Sequence, residues 1–251
     1  MKVVLADIEK SALAQTEVEM KTGGATVLAV RTDVSKSRNV QALAQETLEA
    51  FGAVHLLCNN AGVFSPRLTS IWESSLDDWR WVIGVNLWGV IHGVRAFVPI
   101  MLEQDTECHI VNTASIAGLT SGSLIGLYGV TKHAIVSLSE TLYLQLVEAG
   151  TKVKVSVLCP WYVDTRLWDS ERNRPHKLQH DPGEVNLSAD DEAMREEFRQ
   201  AFAAGMSPAR VADYVFDAIR DARFYILTHP ESKRNVQMRM EGILQERNPG
   251  S

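Results

Sequence analysis

The sequence predicts an α/β fold, a mostly parallel sheet doubly wound with helices on both faces. Two observations carry this. Short apolar runs of strand length alternate with stretches of helical periodicity. Parallel strands need such crossovers, because the chain must return to the starting edge of the sheet before each new strand. Polar residues also follow the strands at one end, as with Asp7, Asp33, Asn59, Asn60 and Ser115, and the carboxyl ends of parallel strands are where ligands bind. No internal repeat or linker-like change of composition divides the chain, so residues 1–251 read as one domain.

Residues 3–6 form a short apolar run closed by Asp7, a buried strand. A helix is expected over about 9–20, stopped by Gly23-Gly24. The second strand covers 25–30 and runs into Thr32-Asp33-Val34, after which Ser35 can cap a helix ending near Gly52. A third strand over 54–58 leads into Asn59-Asn60-Ala61-Gly62. A long helical region is expected over about 76–101, where Trp79, Val82, Val85, Val90, Val94 and Phe97 keep helical spacing. The strand at 109–112 delivers Ser115, and a glycine-bearing connection leads to a helix that Gly150 ends. A strand over 153–159 is closed by Pro160. Residues 166–191 are polar, with two prolines, and read as a mobile flap; the substrate-covering region as a whole spans about 166–206. Helices follow at about 192–203 and 207–221, the second with a Ser207 cap and Pro208 in its first turn. A last strand at 224–228 and a helical tail complete the chain.

Composition excludes several classes of function. The chain is 45% apolar with a net charge of −6, which leaves no basic footprint for nucleic acid or an acidic membrane surface. Its three cysteines, Cys58, Cys108 and Cys159, lie far apart and read as reduced core residues of a cytoplasmic protein. No apolar run approaches the ~20 residues of a membrane span, and the first residues are too short and acidic for a signal peptide. His176 and His180 stand four apart with Asp181 adjacent; lacking a third convergent ligand, they read as solvated loop histidines, and no metal is expected.

The chemistry centres on Tyr128-Gly129-Val130-Thr131-Lys132, with Ser115 upstream. Tyr128 and Lys132 are one helical turn apart on one face. A cation ~5 Å from a phenol is worth ~3 kcal/mol at an effective dielectric of ~20, enough to lower the phenol's pKa by roughly two units. That would suit a general acid or base. Taken alone, such a pair is usually a surface feature. Asn86, among Val85, Leu87 and Val90, would be a costly buried amide unless something satisfies it, at the least a neighbouring carbonyl.

Taken together, Ser115, Tyr128-x-x-x-Lys132, Asn59-Asn60-Ala61-Gly62, Asn86, Asp33-Val34 and Pro160-x-x-Val163-x-Thr165 resemble the short-chain dehydrogenase/reductase family, over about residues 1–165 by motif. The resemblance implies a Rossmann-like fold. It also implies an NAD-dependent oxidoreductase interconverting a secondary alcohol and a ketone by hydride transfer. Tyr128 would exchange a proton with the substrate oxygen, Lys132 would lower the phenol's pKa and bind the nicotinamide ribose, Ser115 would orient the substrate, and Asn86 would hold a relay water. Asp33, Val34, Asn60, Ala61 and Gly62 would line the cofactor, and Pro160, Val163 and Thr165 its nicotinamide end. Trp161 and Tyr162 stand where the family more often has a glycine and would wall the pocket or pack under the flap, favouring a small hydrophobic alcohol or ketone. The resemblance also implies a homotetramer or homodimer through the helices at about 76–101 and 126–149, where Trp79, Trp81 and Trp88 fit an apolar interface.

Asp7 has its own argument. A carboxylate at that strand end accepts ribose hydroxyls and repels a 2′-phosphate, so NAD is expected over NADP; Asp7 can also cap the following helix. One family element does not match. The Thr-Gly-x-x-x-Gly-x-Gly turn that holds the pyrophosphate is not found, and the chain begins on what resembles the family's second strand. A first βα unit is therefore expected to be missing, and residues 1–251 alone are expected to bind dinucleotide weakly. Two other readings stand beside the first: a non-catalytic relative or truncated product acting as a scaffold or binding module, and an NADP-linked carbonyl reductase.

Overall fold

The computed structural model describes residues 1–64, 70–180 and 189–249. The elements alternate in the expected order: β1 (Lys2–Asp7), α1 (Lys10–Thr22), β2 (Thr26–Arg31), α2 (Ser37–Phe51), β3 (Leu56–Asn59), α3 (Leu76–Val82), α4 (Trp88–Glu103), β4 (Cys108–Thr113), α5 (Gly126–Glu148), β5 (Val153–Leu158), α6 (Ala189–Ala203), α7 (Pro208–Arg220), β6 (Tyr225–Ile226) and α8 (Ser232–Leu244). Every strand pair is parallel. The last strand shrinks to two residues, and Ser35 does not cap α2; its amide and hydroxyl instead donate to Asp33 Oδ1 at 3.0 and 2.6 Å. Ser207 does cap α7, accepting from the Arg210 amide at 3.3 Å.

Period-two alternation explains why both sheet faces are covered. Ile110 of β4 packs with Phe97, Val98 and Met101 of α4 and with Leu142 and Leu146 of α5. Its neighbour Val111 points the other way, into Val211 and Ala218 of α7. A buried polar chain stiffens this centre: Asn59 Nδ2 donates to Asn112 Oδ1 at 2.8 Å, and Asn112 Nδ2 donates to Ser139 of α5 at 3.0 Å.

The sheet is split. β1 pairs only with β2, while β3, β4, β5 and β6 form a second sheet in that order. Between β1 and β3 lies a cavity of about 270 Å³, lined by Ala6 and Leu57 of the strands and by Val40 and Phe97 of α2 and α4. Cys58, expected in the core, is exposed because it lies on the open stretch of β3 that lines this gap. A strand does start at Lys2, so the order of elements does not by itself confirm that a leading βα unit is lacking.

α3 and α4 join through a π-helical turn, Ile83–Leu87. The combined run Leu76–Glu103 is long and apolar enough to cross a membrane by length and composition alone, a test that a core helix also passes. Here it covers the sheet: Val90, Phe97, Val98 and Met101 are buried in the core. Trp81 is likewise core, 3% exposed, whereas Trp88 is 49% exposed and alone of the three stands largely free for an interface.

The flap has more structure than its composition suggests. It forms 3-10 turns at Arg166–Asn173 and His176–Leu178 before α6; part of it, with Asp181, lies outside the described residues. His180 is not a solvated loop histidine, since its Nε2 meets Asp78 Oδ1 at 3.0 Å. Among the described residues no cluster suits a metal ion.

Candidate active site

β4 ends at Thr113, and Ser115 then caps a short 3-10 turn, accepting from the Ala117 amide at 3.1 Å and donating to the Pro160 carbonyl at 3.3 Å. That turn lies on α5 so closely that a Cβ on Gly118 would stand 2.5 Å from the Lys132 carbonyl oxygen, an approach only glycine permits. Through this contact Ser115 meets the first turns of α5, which carry Tyr128 and Lys132. The Lys132 ammonium sits 5.3 Å from the Tyr128 ring centroid and donates to the Thr113 carbonyl at 2.9 Å.

The electrostatics differ from expectation. Burial pushes the Tyr128 phenol up to about 12, with the Ser115 hydroxyl opposing in part and the neighbouring Cys159 adding to the rise. Burial also pushes Lys132 down to about 8. The expected lowering of the phenol is therefore absent. The physical reason is placement: the ammonium lies over the ring and is bonded to a backbone carbonyl, while desolvation penalises the phenolate.

Asn86 is fully buried on the π turn, a geometry that often marks functional helices. Its Oδ1 accepts from the Val63 amide at 2.8 Å, and its Nδ2 donates to the Val63 carbonyl at 3.0 Å and to Thr131 Oγ1 at 3.1 Å. This answers the desolvation argument: the amide clamps the Asn60–Val63 loop to α5.

The loop it holds borders two cavities. Asn60, Ala61 and Gly62 line the gap beside β1, together with Asp7, Asp33 and Val34, and also line a larger cavity of about 680 Å³ that holds Ser115, Tyr128 and Lys132. A Cβ on Gly62 would make only ordinary contacts with Asn86 and Lys132, so packing within the protein does not demand a glycine there. Pro160, Trp161, Tyr162, Val163 and Thr165 line the larger cavity. Val163 pairs with Met206, and Thr165 caps the flap's first 3-10 turn. Asp7 also serves as a local acceptor, taking the Glu9 amide at 2.8 Å. Every expected site residue but Asn86, which lies beneath the Asn60–Val63 loop, thus lines one or both of these neighbouring cavities.

Sequence reasoning missed two features. Arg172 and Asn173 of the flap both donate to Glu9 Oε1, at 2.5 and 2.8 Å, fastening the flap to the start of α1. These bonds hold the Glu9 carboxyl below the usual range. The second is an aromatic group: Phe64 meets Tyr128 edge to face at 5.4 Å, and Phe198 and Phe202 of α6 complete it. The four-residue spacing of Phe198 and Phe202 was the available signal.

Comparison with known proteins agrees with this geometry. The short chain dehydrogenase family model matches residues 1–176. A short chain dehydrogenase/reductase from Burkholderia phymatum, solved in complex with NAD, superposes with a TM-score of 0.95 at 49% identity, covering 100% of this chain and 88% of that one. A CLA biosynthesis dehydrogenase/reductase from Lactiplantibacillus plantarum is 34% identical over 99% of this chain and 86% of its own. A 1-deoxy-11-beta-hydroxypentalenate dehydrogenase from Streptomyces avermitilis is 33% identical over 94% and 78%. With Ser115, Tyr128 and Lys132 converging on one cavity in a Rossmann-like fold, the chain belongs to the short chain dehydrogenase family and is an oxidoreductase acting on CH–OH groups.

Proposed function

We propose that the protein interconverts a secondary alcohol and a ketone with NAD as the hydride carrier. The observation that carries this is the convergence of Ser115, Tyr128 and Lys132 on one cavity that the Asn60–Gly62 loop connects to Asp7. The residues fit a nicotinamide dinucleotide at both ends. Lys132 is 3% exposed, lines the cavity, and has one of its three donors on Thr113, leaving hydrogens suited to ribose hydroxyls. Asp7 offers an exposed carboxylate at the other end. When bound, the cofactor supplies the hydride acceptor or donor.

The chain's own residues handle the proton. Ser115 holds the substrate oxygen beside the phenol. Tyr128, protonated at neutral pH, donates to a ketone oxygen and takes the proton back in the reverse direction. Lys132, anchored on the Thr113 carbonyl, would hold the cofactor ribose beside the phenol.

NAD is favoured over NADP by charge. Asp7 lines the cavity at that end; Glu9 lines it too but is paired there with Arg172, so the repulsion is that of Asp7. Arg31, opposite Asp7 across the β1–β2 ladder, instead donates from Nε to the Ile8 carbonyl at 3.1 Å. Kinetics with the two coenzymes should show kcat/KM at least ~10-fold higher for NAD, the scale of ~1.4 kcal/mol of repulsion, and Asp7→Ser should narrow the gap. Equal or better use of NADP by the parent protein would contradict this.

We also infer that one strand belongs between β1 and β3, followed by a glycine-rich turn for the pyrophosphate. The unpaired facing edges and the void between them support it, since buried backbone groups without partners are costly. Hydrogen exchange on the full-length protein should show protected amides in β1 and β3. Exchange there at loop-like rates would count against the strand.

A further inference from the structure

We propose that the rings of Phe64, Tyr162, Phe198 and Phe202 read an aromatic group carried at or next to the reacting carbon, so that the substrate is an uncharged aryl carbinol or its ketone; this deepens the proposed function and rests on it.

The four rings form a closed circuit. Phe64 lies 5.9 Å from Phe198 and 6.4 Å from Phe202, while Tyr162 lies 6.4 Å from Phe198 and 5.3 Å from Phe202. All four line the cavity that holds Ser115 and Tyr128. The circuit reaches the chemistry through Phe64, whose ring stands at 82° to that of Tyr128. A substrate oxygen held between Ser115 and Tyr128 therefore puts the group on its carbon within one ring of Phe64.

Rings at this spacing, with interplanar angles from 41° to 85°, present both edges and faces. An aromatic guest matches such a quadrupole pattern and an aliphatic guest of equal size does not; each matched pair is worth up to about tenfold in affinity beyond the area buried.

Charge points the same way. Arg166 and Arg172, both at this cavity, are paired with Asp169 and Glu9 at 2.8 and 2.5 Å. The remaining cation lining it, among the described residues, is Lys132, which the nicotinamide ribose would engage. Among the described residues lining this cavity, no further cation stands at the aromatic end to receive a substrate carboxylate.

The test is calorimetric titration of the full-length protein, saturated with NAD, with acetophenone and with cyclohexyl methyl ketone. The two ketones match in size, and neither can be reduced in this complex. Acetophenone should bind at least ~10-fold tighter, and Phe198→Leu and Phe202→Leu should each bring the ratio to within ~3-fold. Phe198 is half-buried, so its variant serves where Phe202→Leu lowers stability. Equal affinities, undetectable binding of both ketones, or a full preference surviving in both variants would overturn the proposal. An aryl preference in binding, with no oxidation of NADH when acetophenone is offered, would leave the aromatic pocket standing and count against the proposed reaction.

Discussion

Asp78→Ala is expected to lower stability by about 3 kcal/mol, because it strips the closer and more buried of two carboxylates from a buried guanidinium, leaving it Glu171 Oε1 at 3.2 Å. Arg174 has a fully buried side chain whose Nη1 donates to Asp78 Oδ1 at 2.8 Å and whose face lies 5.0 Å from the Trp81 ring centroid. Among the described residues its Nη2 has no partner. The same carboxylate closes the α3 capping box, its Oδ2 accepting from the Ser75 amide at 3.0 Å and the Ser75 hydroxyl at 2.8 Å. One side chain thus fixes the start of α3 and ties the flap to it.

Burial alone would raise the Asp78 carboxyl, but hydrogen bonds from Ser75 and Arg174, with the charges of Arg174 and His180, outweigh it and hold the group low. The folded pKa is depressed, so this stabilisation is present above the ordinary carboxylate range and is lost as pH falls through the lowered value. Urea denaturation at neutral pH should show the full loss, and the gap between parent and variant should close in strong acid. A loss under about 1 kcal/mol at neutral pH would mean that Glu171 alone suffices as the partner of Arg174.

The fold was legible because its signals are local. Apolar runs ending in Asp7, Asn59 and Pro160 marked strands and their ligand-binding ends, and glycine ends such as Gly52 marked helix stops. The Tyr128–Lys132 spacing was legible for the same reason. What escaped depends on tertiary packing. The sign of the Tyr128 shift turns on desolvation and on the ammonium lying over the ring, neither of which i, i+4 spacing encodes. Asn86 could be recognised as needing partners, but that they are the Val63 backbone and Thr131 depends on where the 60–63 loop returns. The exposure of Cys58 follows from the split between β1 and β3, a property of the assembled sheet. The Asp78–Arg174 pair joins residues 96 positions apart, beyond the reach of any pattern.

Tyr128→Phe tests the centre of the account. The substitution removes one oxygen and keeps the ring that meets Phe64, so the pocket wall stays in place. If Tyr128 carries the proton, its loss removes general acid catalysis, commonly worth about 10²–10⁴ in rate. Ser115 can orient the substrate oxygen but cannot replace the phenol, because an aliphatic hydroxyl is a far weaker acid. Lys132 is held by the Thr113 carbonyl. The decisive measurement is single-turnover hydride transfer in the full-length protein, parent against Tyr128→Phe, with nucleotide affinity measured alongside. The account predicts a rate at least ~100-fold lower in the variant, with nucleotide affinity within ~3-fold of the parent. A variant rate within ~3-fold of the parent would contradict it.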